Sequence, residues 1–147
     1  MGMIDGLVNG DSLPVLEAAM KFAARRQTLI QHNIANISTP EYQTMDVSPE
    51  KFAKALGEAV DRWRSDTGAD RGELKFEGNS EIKVLDNGDF EFKPGKGSGN
   101  ILFHDRNDRD LERSMQALAE NVAAFRVATE FFRGRIELLN AAIRERP

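Results

Sequence analysis

One stretch decides the fold: residues 111–143 read LERSMQALAENVAAFRVATEFFRGRIELLNAAI. Apolar residues recur in it at alternating steps of four and three, with Thr129 as the one polar interruption. The stripe runs through Leu111, Met115, Leu118, Val122, Phe125, Thr129, Phe132, Ile136, Leu139 and Ile143. This heptad spacing predicts one helix about 55 Å long, capped at Asp105, Asn107 or Asp108. Because such a stripe is unfavourable in water, it needs a partner helix along its length.

A second, shorter stripe follows Asp11 and Ser12, either of which can cap a helix. Its members are Leu13, Leu16, Met20, Ala23, Ile30, Ile34 and Ile37, with Gln27 as the one polar position. Pro40 is expected to end this helix. The two stripes predict a coiled-coil-like helix pair. The assembly interface is predicted to set Leu16, Met20, Ile30 and Ile34 against Leu118, Val122, Phe125, Phe132 and Ile136.

The two stripes differ in length, so folding the chain back on itself covers only part of the longer one. We therefore expect packing between subunits, with Gln27 and Thr129 setting the register. Phe22, Leu29, Val127 and Phe131 lie beside the stripes and would widen the apolar surface. The alternative is a monomeric helical bundle whose middle region covers these faces.

The predicted fold class is mainly α, with a small α/β-hairpin middle region. Residues 1–40 hold the N-terminal helix, residues 41–104 the middle region and residues 105–147 the C-terminal helix. Within the middle region, residues 48–63 have the apolar spacing of a short amphipathic helix, formed by Phe52, Leu56, Val60 and Trp63. Asn87-Gly88 between two alternating strands predicts a β-hairpin, with Ile82 and Val84 against Phe90 and Phe92. The glycine-rich run of residues 94–100 is expected to be a flexible linker.

Composition limits the possible functions. The chain has 147 residues, a net charge of -4 and no cysteine. The acidic balance does not favour nucleic-acid binding, and the lack of cysteine excludes disulfides and thiolate chemistry. Only His32 and His104 offer an imidazole, and no nucleophile motif accompanies them. We expect no catalytic residues, no cofactor, no metal and no small-molecule substrate.

The N-terminal helix ends in NIANISTPEYQ, residues 33–43. This string resembles the N-terminal signature of the flagellar axial proteins (rod, hook and hook-associated), N-[IL]-A-N-x-x-T-P-G-Y. The matching residues are Asn33, Ala35, Asn36, Thr39, Pro40 and Tyr42, and Glu41 stands where the family has glycine. If that glycine has a positive φ, glutamate there costs on the order of 1 kcal/mol. The C-terminal segment and the short length are similar to those of the small proximal rod proteins.

The resemblance implies a structural subunit of the bacterial flagellar basal body that polymerises through its terminal helices. It also implies export through the flagellar type III apparatus without a cleaved signal peptide, and a place in the periplasmic rod. The implied partners are the rod proteins FlgC, FlgF and FlgG, together with FliE, the membrane ring and the export gate. The alternatives are a rod protein of the FlgC type, a soluble coiled-coil adaptor or regulator, a flagellar export chaperone, and an enzyme that uses His32 or His104.

Overall fold

The computed structural model describes residues 12–67, 74–96 and 111–144. These residues form three helices: α1 (Leu13–Ala35), α2 (Pro49–Thr67) and α3 (Leu111–Arg144). The short strands between them are β1 (Met45–Asp46), β2 (Gly78–Asn79), β3 (Ile82–Val84), β4 (Phe90–Phe92) and β5 (Gly95–Lys96). The chain is therefore mainly helical with a small antiparallel sheet, as the sequence predicts. Within the described ranges, none of the helices combines the length and apolar character that a membrane span requires.

The first helix stops earlier than predicted. It begins after Ser12, and Pro14 lies in its first turn, where a missing N–H is harmless. It ends at Ala35, and Asn36 follows it with its backbone N–H and its side-chain amide both donating to the carbonyl of His32. The chain then turns through residues 36–41. The expectation that Pro40 ends the helix is wrong, since the helix already ends at Ala35.

The middle region contains the predicted amphipathic helix and hairpin. Ser48 accepts a hydrogen bond from the N–H of Lys51 and so caps α2, which extends to Thr67. Strands β3 and β4 pair antiparallel, with Ile82 opposite Phe92 and Val84 opposite Phe90. Gly88 in the connecting turn has φ +74°, a conformation that glycine adopts without a Cβ clash. Both predictions are confirmed.

One apolar core joins the middle region to α1. The ring of Phe22 on α1 stacks on Phe52 of α2, with ring centroids 4.1 Å apart. The buried members of this core are Val15, Ala18, Phe22, Val47, Phe52, Leu56, Val60, Ile82 and Phe90, and Leu29 packs against it. The sequence analysis predicted that Phe22 and Leu29 would widen an outer apolar surface, and this prediction is wrong. They attach the middle region to the side of α1 that the heptad stripe does not use.

Two strand pairings were not predicted. β2 adds a third strand to the hairpin, with Asn79 opposite Ile82. β1 pairs antiparallel with β5, so that Asp46 lies opposite Gly95. This second pairing closes the middle region where the chain enters and leaves it. Gly95 and Lys96 are thus in a strand, and the prediction of a flexible linker is wrong for these two residues. Residues 97–100 lie outside the described residues. The predicted helix caps Asp105, Asn107 and Asp108 also lie outside them.

α1 and α3 pack against each other in antiparallel directions. Asn121 on α3 donates to the carbonyl of Ala23, while Arg113 at the start of α3 lines a cleft with Asn33 near the end of α1. Continuing this alignment brings Phe132 beside Ser12, the residue that precedes α1. α3 therefore extends beyond α1 by about 12 residues, or about 18 Å.

Candidate assembly surface

Asn33 organises the exit from α1. Its side chain is buried, and its amide nitrogen donates to the carbonyl of Met45 at 2.7 Å. Its carbonyl oxygen accepts from the hydroxyl of Tyr42 at 2.9 Å and from the N–H of Met45 at 3.1 Å. One side chain thus satisfies three groups across a turn of 12 residues. Burial raises the pKa of Tyr42, which keeps its hydroxyl protonated as the donor.

Backbone hydrogen bonds between residues of the motif hold the turn itself. The N–H of Thr39 donates to the carbonyl of Asn36 at 2.9 Å, and the N–H of Tyr42 donates to the carbonyl of Thr39 at 3.2 Å. Pro40 is exposed between them. Asn33, Asn36, Thr39 and Tyr42 therefore form one hydrogen-bonded turn that sets the course of the chain from α1 into β1. Ala35 is exposed at the last position of α1.

Glu41 has φ +61°, within the left-handed region that favours glycine. It is the one non-glycine residue in the described ranges with a positive φ. The motif's turn thus keeps a backbone shape suited to glycine, although this chain has glutamate there. The side chain of Glu41 is exposed, so burial of its carboxylate is not the reason for this backbone conformation.

The residues predicted for the interface fall into three groups. Leu16 and Ile30 on α1 are buried, each 1% exposed. Half-buried positions are Met20, Ile34, Leu118, Val122, Phe125 and Phe132. Ile136 is exposed because it lies beyond the start of α1. The structure thus brings the first two groups to the region where α1 meets α3, and places Ile136 outside it.

The face of α3 that α1 covers is rotated from the predicted stripe. The two buried residues of α3 are Asn121 and Ala128, each one position before a predicted stripe residue. Successive residues are about 100° apart around a helix, and Leu118, Phe125 and Phe132 belong to both faces, so the rotation is roughly half that angle. Small side chains explain it, because Ala128 and Asn121 allow a closer approach to α1 than Thr129 and Val122. A search for large apolar residues misses such positions.

A polar contact across the two helices comes from Asn121. Its amide nitrogen donates to the carbonyl of Ala23 at 2.8 Å, and the side chain is buried. Thr129, predicted to set the register, donates instead to the carbonyl of Phe125 in its own helix. A buried polar group restricts alignment because any shift would leave it without its partner. Asn121 therefore has the role that the sequence analysis gave to Thr129.

Large apolar side chains remain exposed on α3. Nine such residues are exposed among the described residues, and eight belong to this helix. They are Leu111, Met115, Val127, Phe131, Ile136, Leu138, Leu139 and Ile143. Val127, Phe131 and Leu138 lie on the side of α3 away from the predicted stripe, and we call them the outer face. A helix with apolar residues on more than one side is suited to burial in an assembly.

Ion pairs fix the middle region to α1 and support its internal turns. Arg25 of α1 pairs with Asp89 beside the hairpin turn, and this hydrogen bond lowers the pKa of that carboxyl group. Glu81 accepts from Lys51 and from the N–H of Ser48 at the start of α2. The hydrogen bond from Lys51, followed by that from Ser48, lowers the pKa of Glu81. The hairpin therefore supplies the negative charge that favours the N-terminus of α2.

A polar cleft of about 590 Å³ lies between α1 and the starts of α2 and α3. Its most buried charge is Arg26, which donates to both carboxylate oxygens of Asp46 at 2.9 and 2.6 Å. Lys51 and Glu81 on the cleft wall also pair with each other. These charges neutralise one another, so the cleft does not present a concentrated charge to a ligand.

The described residues contain no cluster of three or more histidine or acidic groups arranged to hold a metal ion. His32 is exposed on α1, and His104 lies outside the described residues. A scan of protein-family models and a search of curated proteins found no match to this chain.

Proposed function

We propose that this chain is a structural subunit of the proximal rod of the bacterial flagellar basal body, of the FlgB type. Assembly through α3 rests on the eight large apolar side chains that this helix leaves exposed. Burying one such side chain stabilises an interface by about 1.5–3 kcal/mol at most, so these residues favour contact with other protein surfaces.

The flagellar class rests on the motif of residues 33–43, and the hydrogen bonds support it. Asn33, Asn36, Thr39 and Tyr42 all take part in one turn. Glu41 has the positive φ expected at the glycine position of the family. Two of the hydrogen bonds depend on these residue types: the Tyr42 hydroxyl donates to the Asn33 side chain, and the Asn36 side chain donates to the carbonyl of His32.

We propose that α1 and α3 form a coiled-coil-like hairpin in each subunit. The buried contact between Asn121 and Ala23 supports a defined antiparallel register. Since α1 is covered by α3 on one side and by the middle region on another, α3 is the helix left for neighbouring subunits. Neighbouring rod proteins, FliE, the membrane ring and the export gate are its proposed partners in the rod.

The alternative is a soluble adaptor that uses the same helices in a small closed oligomer. A rod subunit would be found by mass spectrometry in basal bodies purified from the organism that makes this chain. An adaptor would be recovered in soluble complexes instead. A FlgC-type subunit would be present in the same basal bodies, and deletion of the gene together with complementation by FlgB or FlgC would separate these two assignments.

Ile136→Asp is the sharpest test of assembly through α3. Ile136 is exposed beyond the start of α1, so a charge there should leave the subunit folded. We expect the variant to be produced normally, to be missing from basal bodies, and to abolish motility. Phe125→Asp is a poorer test because Phe125 is half-buried where α3 meets α1.

Asn140→Asp is the matched control, since it adds a charge at an exposed polar position one turn away. It should retain motility. Normal swimming of the Ile136→Asp strain, or absence of the wild-type chain from purified basal bodies, would contradict the proposal.

A further inference from the structure

Asn87 and Gly88 form the exposed tip of the hairpin between β3 and β4. An asparagine followed by glycine is chemically labile, because the backbone nitrogen of the second residue can attack the carbonyl carbon of the asparagine side chain. A side chain on the second residue hinders this attack, and glycine has none. Within the described ranges, Asn87-Gly88 is the one asparagine–glycine pair.

The turn that contains this pair depends on the backbone N–H of Gly88. That N–H donates to the carbonyl of Leu85 at 2.8 Å, and the N–H of Leu85 donates to the carbonyl of Asp89 at 2.9 Å. Gly88 has φ +74°, the left-handed conformation that completes a three-residue hairpin loop. The folded turn therefore uses the nitrogen that would act as the nucleophile, and it uses that nitrogen as a hydrogen-bond donor.

The side chain of Asn87 is also held in place. Its carbonyl oxygen accepts a hydrogen bond from the backbone N–H of Asp89 at 3.0 Å. For the attack to occur, Gly88 has to lose the proton that it donates to Leu85, and the Asn87 amide has to turn toward the Gly88 nitrogen. Because both hydrogen bonds must break first, the folded turn restrains the reaction.

Two cationic side chains of α1 hold the hairpin tip from outside. Lys21 donates to the carbonyl of Gly88 at 3.0 Å, and Arg25 pairs with Asp89. These contacts join residues 67 and 64 positions apart in the sequence, so they exist only in the folded protein. Unfolding removes them and frees the turn.

We propose that Asn87 is a site of spontaneous deamidation that the folded hairpin suppresses, so that the chain is modified there while the hairpin is open. A bond forms between the Gly88 nitrogen and Cγ of Asn87, and the bond from Cγ to the side-chain nitrogen breaks. Ammonia leaves, carrying the proton that the Gly88 nitrogen gives up. Water then opens the cyclic imide at either of its carbonyl carbons, and nothing is oxidised or reduced.

The two products differ in their backbone. Opening at the main-chain carbonyl gives isoaspartate, in which the chain runs through Cβ and Cγ of residue 87 and gains an extra carbon atom. The longer loop does not fit the register that sets Val84 opposite Phe90, and Phe90 is buried in the core. Opening at Cγ gives aspartate, which keeps the original chain path and an oxygen for the N–H of Asp89. We therefore expect isoaspartate, but not aspartate, to destabilise the hairpin.

Deamidation at this position is independent of the proposed function, because it depends only on the hairpin and on its contacts with α1. Peptide mapping by mass spectrometry measures it after incubation of the full purified chain in mildly alkaline buffer. Conversion at Asn87 should be about thirtyfold faster in urea than in the folded chain, the scale set by two hydrogen bonds. Methyl transfer by an isoaspartyl methyltransferase identifies the isoaspartate product.

The chain contains a reference for the intrinsic rate. Asn9-Gly10 is the same pair of residues in another sequence context. In urea it should react about as fast as Asn87-Gly88, so it calibrates the rate without the hairpin. Asn87→Gln should abolish modification at residue 87, because the longer side chain closes a ring far more slowly.

Variants of α1 test the restraint in the folded chain. Arg25→Gln and Lys21→Gln each remove one contact at the hairpin tip, so each should raise the folded-state rate about threefold and leave the rate in urea unchanged. Lys54→Gln, at an exposed position of α2, is the matched control and should change neither rate. Circular dichroism would show that each variant keeps its helices, so that a faster reaction is not general unfolding.

Four results would overturn the proposal. They are an absence of isoaspartate at residue 87 after incubation in urea, equal rates in urea and in the folded chain, α1 variants that react no faster than Lys54→Gln, and a purified isoaspartate form that is as stable to urea as the aspartate form.

Discussion

Replacing Glu41 by glycine should stabilise the protein. Glu41 has φ +61°, and a residue with a Cβ pays roughly 1–2 kcal/mol for that left-handed conformation. Glycine relieves this strain, but its greater freedom in the unfolded chain offsets about 0.4–1 kcal/mol. We therefore expect the free energy of unfolding to rise by about 0.5–1 kcal/mol.

Urea unfolding followed by circular dichroism measures this change. With a slope of about 2 kcal/mol per M, the midpoint for Glu41→Gly should rise by about 0.4 M at an unchanged slope. Glu41→Ala is the matched control. It removes the carboxylate but keeps the Cβ, so it should not stabilise the chain. If the glycine variant were no more stable than the alanine variant, backbone strain at residue 41 would be refuted.

Two further predictions concern the polar contacts. Asn33→Ala should lower the free energy of unfolding by about 2–4 kcal/mol, because it leaves three hydrogen-bonding groups without their partner. Tyr42→Phe removes only one of these hydrogen bonds and should lower the free energy of unfolding by about 1 kcal/mol. Equal losses of stability in the two variants would contradict this account. Glu81 has a pKa held below its ordinary 4.5 in the folded state, chiefly by the hydrogen bond from Lys51. The stabilisation from Glu81 should be complete at pH values above its pKa in the unfolded chain, and it should be lost as the pH falls through its lower pKa in the folded protein. Glu81→Gln should therefore show a shallower fall of unfolding free energy in acid than wild type, and parallel pH curves would show that Glu81 does not contribute.

Sequence periodicity was a good guide wherever one local pattern agreed with the packing. The apolar positions of α2 are spaced so that one face contains Phe52, Leu56 and Val60, and all three are buried. Asn87-Gly88 needs only local geometry to form its turn, so the hairpin could also be predicted. The motif at residues 33–43 also indicated, from the sequence alone, where the chain turns after α1.

The contacts of the two long helices could not be predicted in the same detail. Heptad spacing located both helices, but large apolar residues alone could not show that Asn121 and Ala128 would be the buried positions of α3. Helix rotation depends on how closely two surfaces approach, and that distance is set by small side chains on both partners. Nor could spacing show that Phe22 belongs to the core with the middle region.

The sequence by itself determined the helices, the hairpin and the turn after α1, because these follow from periodicity and from hydrogen bonds between near neighbours. Only the tertiary structure decided which side of each helix is covered, that β1 pairs with β5, and that the exposed apolar residues are concentrated on α3. Those outcomes depend on contacts between distant segments, where shape and competing apolar faces decide which surfaces meet.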